Sequence, residues 1–270
     1  MQFPKTDEII FFDDFNSKDL DRTKWNVEIT GKIHNDEQQA YVDSSTTIYL
    51  QNNDDSANGV LVIQPRFRKG FVTPQGDCFD FISGRINTKG KFDFKYGRIA
   101  ACIKLPKGEG LWPAFWTLGK LGTWPCCGEL DIMESVGEND WISAAVHGPM
   151  YAGETALVNK KFFPLSEKAT QWHIYSLDWL PDRLEFRVDG ELIYRVTRPM
   201  VKFFGPWVFD APQFVVVNFA LGGRYPYKTN GVRKPYYGIP ETTVKAINND
   251  EIKMLVDWVK VSKYEELDLQ

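Results

Sequence analysis

The stretch from Trp172 to Val196 constrains the fold more than any other part of the chain. Trp172-His173-Ile174-Tyr175-Ser176-Leu177-Asp178-Trp179 suits a half-buried strand, and a Pro181-Asp182 turn follows. Leu184-Glu185-Phe186-Arg187-Val188 alternates again, and Asp189-Gly190 leads into Ile193-Tyr194-Arg195-Val196. Asp-Gly between alternating runs is a strong hairpin signal, because both residues tolerate the positive φ that a type I′ turn requires. The pattern predicts an antiparallel meander with one buried face. Similar short segments, rich in β-branched and aromatic residues, recur along the whole chain between clusters of Gly, Pro, Asn and Asp. Strands are expected at Ile9–Phe15, Gly59–Arg68, Tyr96–Leu105, Glu129–Val136, Trp141–His147, Trp172–Leu180, Arg183–Val188, Phe214–Leu221 and Met254–Val261. No segment keeps a 3.6-residue apolar period beyond about two turns, so helices should be few and short. The stretch from Tyr225 to Asn249, rich in Gly, Pro, Asn and Lys, is expected to be a long surface loop near one edge. The predicted fold class is all-β: a single domain over residues 1–270, built as a sandwich of two antiparallel sheets.

Composition narrows the function classes. Hydrophobic residues at 43% and charged residues at 25% are those of a globular chain with a sizeable core. A net charge of -4 without any run of five or six like charges leaves no footprint for a polyanion, so nucleic acid is not an expected partner. No stretch of apolar residues is long enough for a membrane-spanning helix. Cys78, Cys102, Cys126 and Cys127 form no metal-binding spacing, and a bridge between the adjacent pair would be strained, so they are read as mostly free. Aromatic content is the departure from average: 9 Trp, 11 Tyr and 19 Phe, many beside Gly, Pro, Asn or Asp. Such rings fill cores, and they also stack on the apolar C–H faces of sugars.

The chemistry concentrates in Gly128-Glu129-Leu130-Asp131-Ile132-Met133-Glu134. On a helix Glu129 and Glu134 would point about 140° apart and Glu129 and Asp131 about 160° apart, so the acids could not converge. On a regular strand Glu129 and Asp131 share a face, but Glu134 has the wrong parity. One extra residue restores it. A β-bulge at Ile132-Met133 would bring all three acids to one face while Leu130 and a second apolar side chain pack inward. A calcium or magnesium site and a solvated acidic strand also fit this spacing. The setting favours catalysis, because Trp124-Pro125 and Trp112-Pro113-Ala114-Phe115-Trp116 surround the acids with aromatics, which raise carboxyl pKa values. Glycosidic cleavage with retention needs two carboxyl groups about 5–5.5 Å apart, and inversion needs about 6.5–9.5 Å. Spacing leaves open which glutamate does what, and which outcome follows.

The run resembles the active-site signature of family 16 glycoside hydrolases, in the bulged form of laminarinases and related β-glucanases. Other segments resemble that family in the same order: Ser83-Gly84-Arg85-Ile86-Asn87, Tyr96-Gly97-Arg98, Leu105-Pro106-Lys107-Gly108, Trp112-Pro113-Ala114-Phe115-Trp116, Val146-His147-Gly148, Asn218-Phe219-Ala220-Leu221-Gly222-Gly223 and Leu255-Val256-Asp257-Trp258. The resemblance covers nearly the whole chain. It implies a β-jelly-roll sandwich with a concave cleft, and a retaining endo-acting attack on β-1,3-glucan, mixed-linkage β-1,3-1,4-glucan or both. It makes Glu129 the nucleophile, Asp131 its helper and Glu134 the acid/base, with no cofactor for catalysis.

By the same resemblance Asn35, Arg85, Trp112, Trp116, Trp124, His147 and Asn218 are expected in the cleft. Arg85 could equally form an ordinary ion pair. Trp112 and Trp116, four residues apart, are expected to need distortion to share a face, which would leave one in the core. Asp257 and Gly59 match positions implied for a structural calcium on the convex side, an Asp paired with Lys260 being the competing reading. Polymeric β-glucan as the partner implies a protein acting extracellularly or at the cell surface, with its export signal not part of this chain, and a monomer is expected. The rivals are a hydrolase of agar or carrageenan, and a lectin-like module that binds glucan without cutting it. The extra residue in the run disfavours xyloglucan transfer.

Overall fold

A computed structural model describes residues 6–29, 34–52, 59–164 and 168–264. In chain order the strands are β1 (Thr6–Asp13), β2 (Asn26–Val27), β3 (Gln39–Tyr41), β4 (Ile48–Asn52), β5 (Gly59–Ile63) and β6 (Arg66–Val72). They continue as β7 (Cys78–Ser83), β8 (Arg85–Asn87), β9 (Gly97–Lys104), β10 (Leu111–Gly119), β11 (Glu129–Glu134) and β12 (Trp141–His147). The last six are β13 (Leu157–Phe162), β14 (Trp172–Trp179), β15 (Arg183–Val188), β16 (Glu191–Thr197), β17 (Gln213–Leu221) and β18 (Met254–Tyr264). Among the described residues three short α-helices, α1 (Arg198–Phe204), α2 (Arg224–Asn230) and α3 (Glu241–Asn248), and one 3-10 turn (Gly153–Thr155) interrupt them.

Two antiparallel sheets face each other. One runs β16-β15-β14-β9-β18-β5-β4, with β1 also paired to β18, and the other runs β13-β12-β11-β10-β17-β8-β2. The expected meander is the β14-β15-β16 end of the first, closed by a turn in which Asp189 and Gly190 have φ of 50° and 83°. Tyr175, Leu177 and Trp179 point into the core, whereas Ile174 is 40% exposed, as alternation along β14 requires. Ile99, Leu177, Phe186 and Val256 from the first sheet share one core with Phe115, Leu130, Val217 and Phe219 from the second.

Two expectations need correction. The segment expected as one strand at Gly59–Arg68 is two, because the chain breaks at Gln64-Pro65. β5 lies in the eight-stranded sheet, while β6 joins a separate three-stranded sheet, β3-β7-β6, whose β3-β7 pair is parallel. The Tyr225–Asn249 stretch is not simply a loop. It carries most of α2 and all of α3, the latter starting just after Pro240 and burying Thr243 and Ile247. Its apolar pattern spans only two turns, too short for a periodicity signal, and its Gly and Pro residues cap the helices.

The outer side of the eight-stranded sheet carries a buried ion network. Asp178 accepts hydrogen bonds from Arg98, Arg187 and Tyr264, and Glu185 accepts from Arg183, Arg187 and Arg195. All four cysteines are free.

Candidate active site

Strand β11 carries the three acids, and its pairing shows the bulge. From Asp131 to Glu134 it advances three positions while its partner β12 advances two, from Ala145 to Ser143. Against β10, Met133 pairs with Phe115 and Asp131 with Trp116, so Ile132 is the residue without a counterpart. Burial drives this. Leu130, Ile132 and Met133 all lie in the core, and each such side chain contributes roughly 1.5–3 kcal/mol. Two consecutive apolar residues can both turn inward only if the strand departs from strict alternation, which returns Glu134 to the face of Glu129 and Asp131. Gly128 immediately precedes the strand with φ of 78°, where a Cβ would also press on Val208 and Phe209 at 3.0 Å.

Glu129 and Glu134 are half-buried at the open face of the seven-stranded sheet, with Asp131 buried between them. Trp124 Nε1 donates to Glu129 Oε2 at 2.6 Å, and Trp112 Nε1 donates to Glu134 Oε1 at 2.9 Å. The backbone N–H of Gly153 donates to His147 Nδ1 at 3.1 Å, which leaves the ring proton on Nε2, 2.9 Å from Asp131 Oδ2. Small neighbours, Ala114 on β10 and Ala145 on β12, flank the acids in register and leave space above them.

Burial, reinforced by the charge of Asp131, pushes Glu129 up to about 8. Burial likewise raises Glu134 to about 7, against the pull of His147 and Trp112. Asp131 is held well above the ordinary carboxylate range by burial and then by Glu134. The carboxyls therefore share protons as a coupled set near neutrality, and attack requires the form in which Glu129 is ionised and Glu134 keeps the proton. Glu129, Asp131 and His147 also offer ligand atoms within 4.8 Å of one another. A cation there would compete with the Trp124 N–H for Glu129.

The other predicted cleft residues extend this face across β10, β17 and β8. Trp116 donates to Asn218 Oδ1 at 2.6 Å, and the Arg85 guanidinium lies 4.9 Å from a Trp116 ring centroid. Arg85 also makes the competing ion pair, Nε to Glu28 Oε2 at 2.8 Å, so both readings of it hold. The expectation that Trp112 or Trp116 would be in the core is corrected: a separation of four is even, so on β10 both face outward while Pro113 and Phe115 are buried. Asn35 is exposed on a turn with φ of 51°, its carbonyl accepting from Arg224 N and its side chain bonding Glu37. Gly59 and Asp257 belong to the other sheet, away from the acids.

Several residues at this face were missed. Glu37 and Tyr41 connect Asn35 to Asn218, since Tyr41 OH donates to Glu37 Oε2 at 3.4 Å and Asn218 Nδ2 donates to Tyr41 OH at 3.0 Å. Their even spacing, Asn35, Glu37, Gln39, Tyr41, was the available signal. Tyr225 meets Trp112 edge-on at 5.5 Å and lies 3.0 Å from Ser143 Oγ, yet nothing in its sequence surroundings sets it apart from other aromatics.

A family profile described as glycosyl hydrolases family 16 matches residues 26–231. Glucan endo-1,3-beta-glucosidase A1 of Niallia circulans is 32% identical over 94% of this chain, which spans 38% of that relative's length. A beta-glucanase of Rhodothermus marinus is 30% identical, covering 81% of this chain and 77% of its own. Among solved structures, the endo-beta-1,3-glucanase of Pyrococcus furiosus superposes with a TM-score of 0.81 and 33% identity, over 96% of this chain and 95% of that one.

Proposed function

Because the chain belongs to glycosyl hydrolase family 16, we propose that it is a retaining endo-β-glucanase acting on laminarin-type β-1,3-glucan and mixed-linkage β-1,3-1,4-glucan. The observation that carries this is the bulge at Ile132, which sets Glu129, Asp131 and Glu134 on one open face, with a tryptophan N–H on each glutamate.

In the first step the Glu129 carboxylate attacks the anomeric carbon as the bond to the leaving sugar oxygen breaks. Glu134 gives its proton to that oxygen, leaving a glycosyl ester on Glu129. In the second step Glu134, now a carboxylate, takes a proton from water, whose oxygen displaces Glu129 from the same carbon. Asp131 holds Glu129 by a hydrogen bond and is itself held by His147. Protonated carboxyls supply both the acid and the charge relief, and the chemistry calls for no cofactor.

Neutral glucan is favoured over sulfated galactan because Arg85, beside Trp116 on this face, is already paired with Glu28. A lectin-like role is disfavoured because three closely placed acids repel one another and binding alone has no use for them. A polymeric substrate supports action outside the cell, and a site furnished by one chain supports a monomer. We also propose the structural calcium. Asp257 sits at a register shift of β18 against β9, next to the last residue that β18 pairs with β5, and the Phe15 carbonyl oxygen comes within 2.5 Å of where a Gly59 Cβ would be. Such carboxylate and carbonyl oxygens suit a hard cation, which would tie the N-terminal segment to that sheet edge.

The test is reducing-sugar release from laminarin, barley β-glucan, agar and carrageenan by the parent and by Glu129→Gln. We expect release from the two glucans alone, and a loss of at least about 10³-fold in the variant with oligosaccharide binding retained. Undiminished turnover in Glu129→Gln would sink the assignment, and release from agar or carrageenan alone would favour the galactan rival.

A further inference from the structure

The open face crosses the strands of the seven-stranded sheet, and over β12 segments from its two lips meet. Ser143 and His147 lie four residues apart on β12, so both side chains project from the open face, about 13 Å apart at about 3.3 Å per residue. Helix α2 stands over the first: Tyr225 Oη lies 3.0 Å from Ser143 Oγ, and the Tyr225 ring meets Trp112 edge-on. The turn at Gly153–Thr155 stands over the second, because the Gly153 N–H donates to His147 Nδ1. Lys228 follows Tyr225 by three residues, so it leaves α2 from the same side about one turn further on. Glu154 follows Gly153, and the Lys228 and Glu154 side chains form an ion pair. Between Ser143 and His147 the floor is Ala145, the register partner of Asp131, whose single methyl leaves room beneath the pair. Both lips are anchored at their bases: Tyr151 Oη donates to the Pro206 carbonyl at 2.8 Å just before the turn, and the Arg224 N–H donates to the Asn35 carbonyl at 2.8 Å where α2 begins.

We propose that Lys228 and Glu154 form a clasp across the cleft, which retains the glucan chain after a cut so that several bonds are broken per encounter. The proposal rests on the glucanase reading above. The pair sits over β12, one strand step or roughly 4.8 Å from the acids on β11, so a chain passing the acids toward β13 runs beneath it. Its strength decides between a fixed roof and a clasp. The two side chains are 51% and 65% exposed, and an ion pair in that setting shifts an equilibrium by only about two- to fivefold. That is too little to bar entry to the middle of a polymer, so internal attack is kept. It is enough to slow the departure of a chain already beneath the pair by the same factor. Lysine and glutamate both carry several rotatable bonds, so the bridge opens by side-chain motion while α2 and the turn stay in place. After each cut the next cleavage competes with release, and slower release raises the number of cuts made before the chain leaves. Lys228 and Glu154 thus set the cutting pattern on a polymer without taking part in bond cleavage.

The experiment follows the earliest stage of reaction on laminarin and on barley β-glucan by size-exclusion chromatography, and counts the short oligosaccharides released per polymer chain shortened. This ratio is independent of overall rate, so a general loss of activity does not mimic the effect. The variants are Glu154→Gln, Lys228→Met and the double exchange Glu154→Lys with Lys228→Glu; both positions are exposed, so the core stays intact. In each single variant the count should fall about two- to fivefold below the parent, and the exchange should bring it back to the parental value. At about 1 M salt, where the Debye length is about 3 Å, the parent should fall to the level of the single variants, which should fall no further. A parental count in either single variant, or an exchange no better than the singles, would overturn the clasp. If the parent shortens neither glucan, the glucanase reading falls instead, so the two failures are told apart.

Discussion

Replacing Trp124 by Phe keeps an aromatic ring beside the acids but removes one N–H, which makes it a clean probe of how Glu129 is kept reactive. That N–H lies 2.6 Å from Glu129 Oε2 and favours the ionised form, against burial and the Asp131 charge that push the group up to about 8. A hydrogen bond to a charged acceptor is worth about 1.5–3 kcal/mol. Trp124 is 52% exposed, so water takes over part of the role and the net loss is about 1 kcal/mol. At about 1.4 kcal/mol per pH unit, the Glu129 carboxyl should rise by roughly 0.5–1 unit. If Glu129 must be ionised to attack, the acid limb of the kcat/KM profile moves to higher pH by that amount. Below the limb the variant should be about 3–10-fold slower, and this deficit should shrink as the pH rises towards 9. The assay is reducing-sugar release from laminarin across pH 4–9. An acid limb that stays in place or moves down would refute the reasoning, and a loss equal at all pH values would make Trp124 a sugar platform and not a donor.

Asp178→Asn leaves Arg98 and Arg187 without their buried carboxylate and should cost about 3–5 kcal/mol in urea unfolding at pH 7; a loss under about 1 kcal/mol would contradict this. Burial alone would raise Asp178, but hydrogen bonds from Arg98, Tyr264 and Arg187 outweigh it and hold the group below its ordinary value. Its contribution is thus complete above the unfolded value of about 4 and lost as pH falls through the folded one, so the gap between parent and variant should close only under strong acid. Deleting Ile132 leaves the acids at alternate positions of a regular strand, still on one face. The deletion should retain more turnover than Glu134→Gln, while costing about 2–5 kcal/mol of stability for the lost core side chain; turnover as low as Glu134→Gln would refute the bulge argument. Calcium should raise the thermal midpoint of EDTA-treated parent but not of Asp257→Ala, and an equal response in both would dismiss that site.

The carboxylate face was legible because parity is strict: on a strand, three acids spaced two and three apart cannot share a side unless a residue is added, and Ile132 is that residue. The Asp189-Gly190 turn was legible for a similar reason, since its chemistry is local. The same parity rule, misapplied, sent one of Trp112 and Trp116 to the core. What stayed hidden depends on contacts between distant segments. β3 pairs in parallel with β7 some forty residues on, so neither the three-stranded sheet nor the place of Tyr41 beside Asn218 has a local signature. Helices α2 and α3 hid behind the Gly and Pro residues that bound them.

The central claim is that Glu129 attacks the anomeric carbon from one face and that water then displaces it from the opposite face, so that two inversions restore the original configuration. Proton NMR of laminarin hydrolysis, recorded before mutarotation, observes this outcome directly. The account predicts that the β-anomer forms first; an initial α-anomer would show single displacement and remove Glu129 from the role of nucleophile.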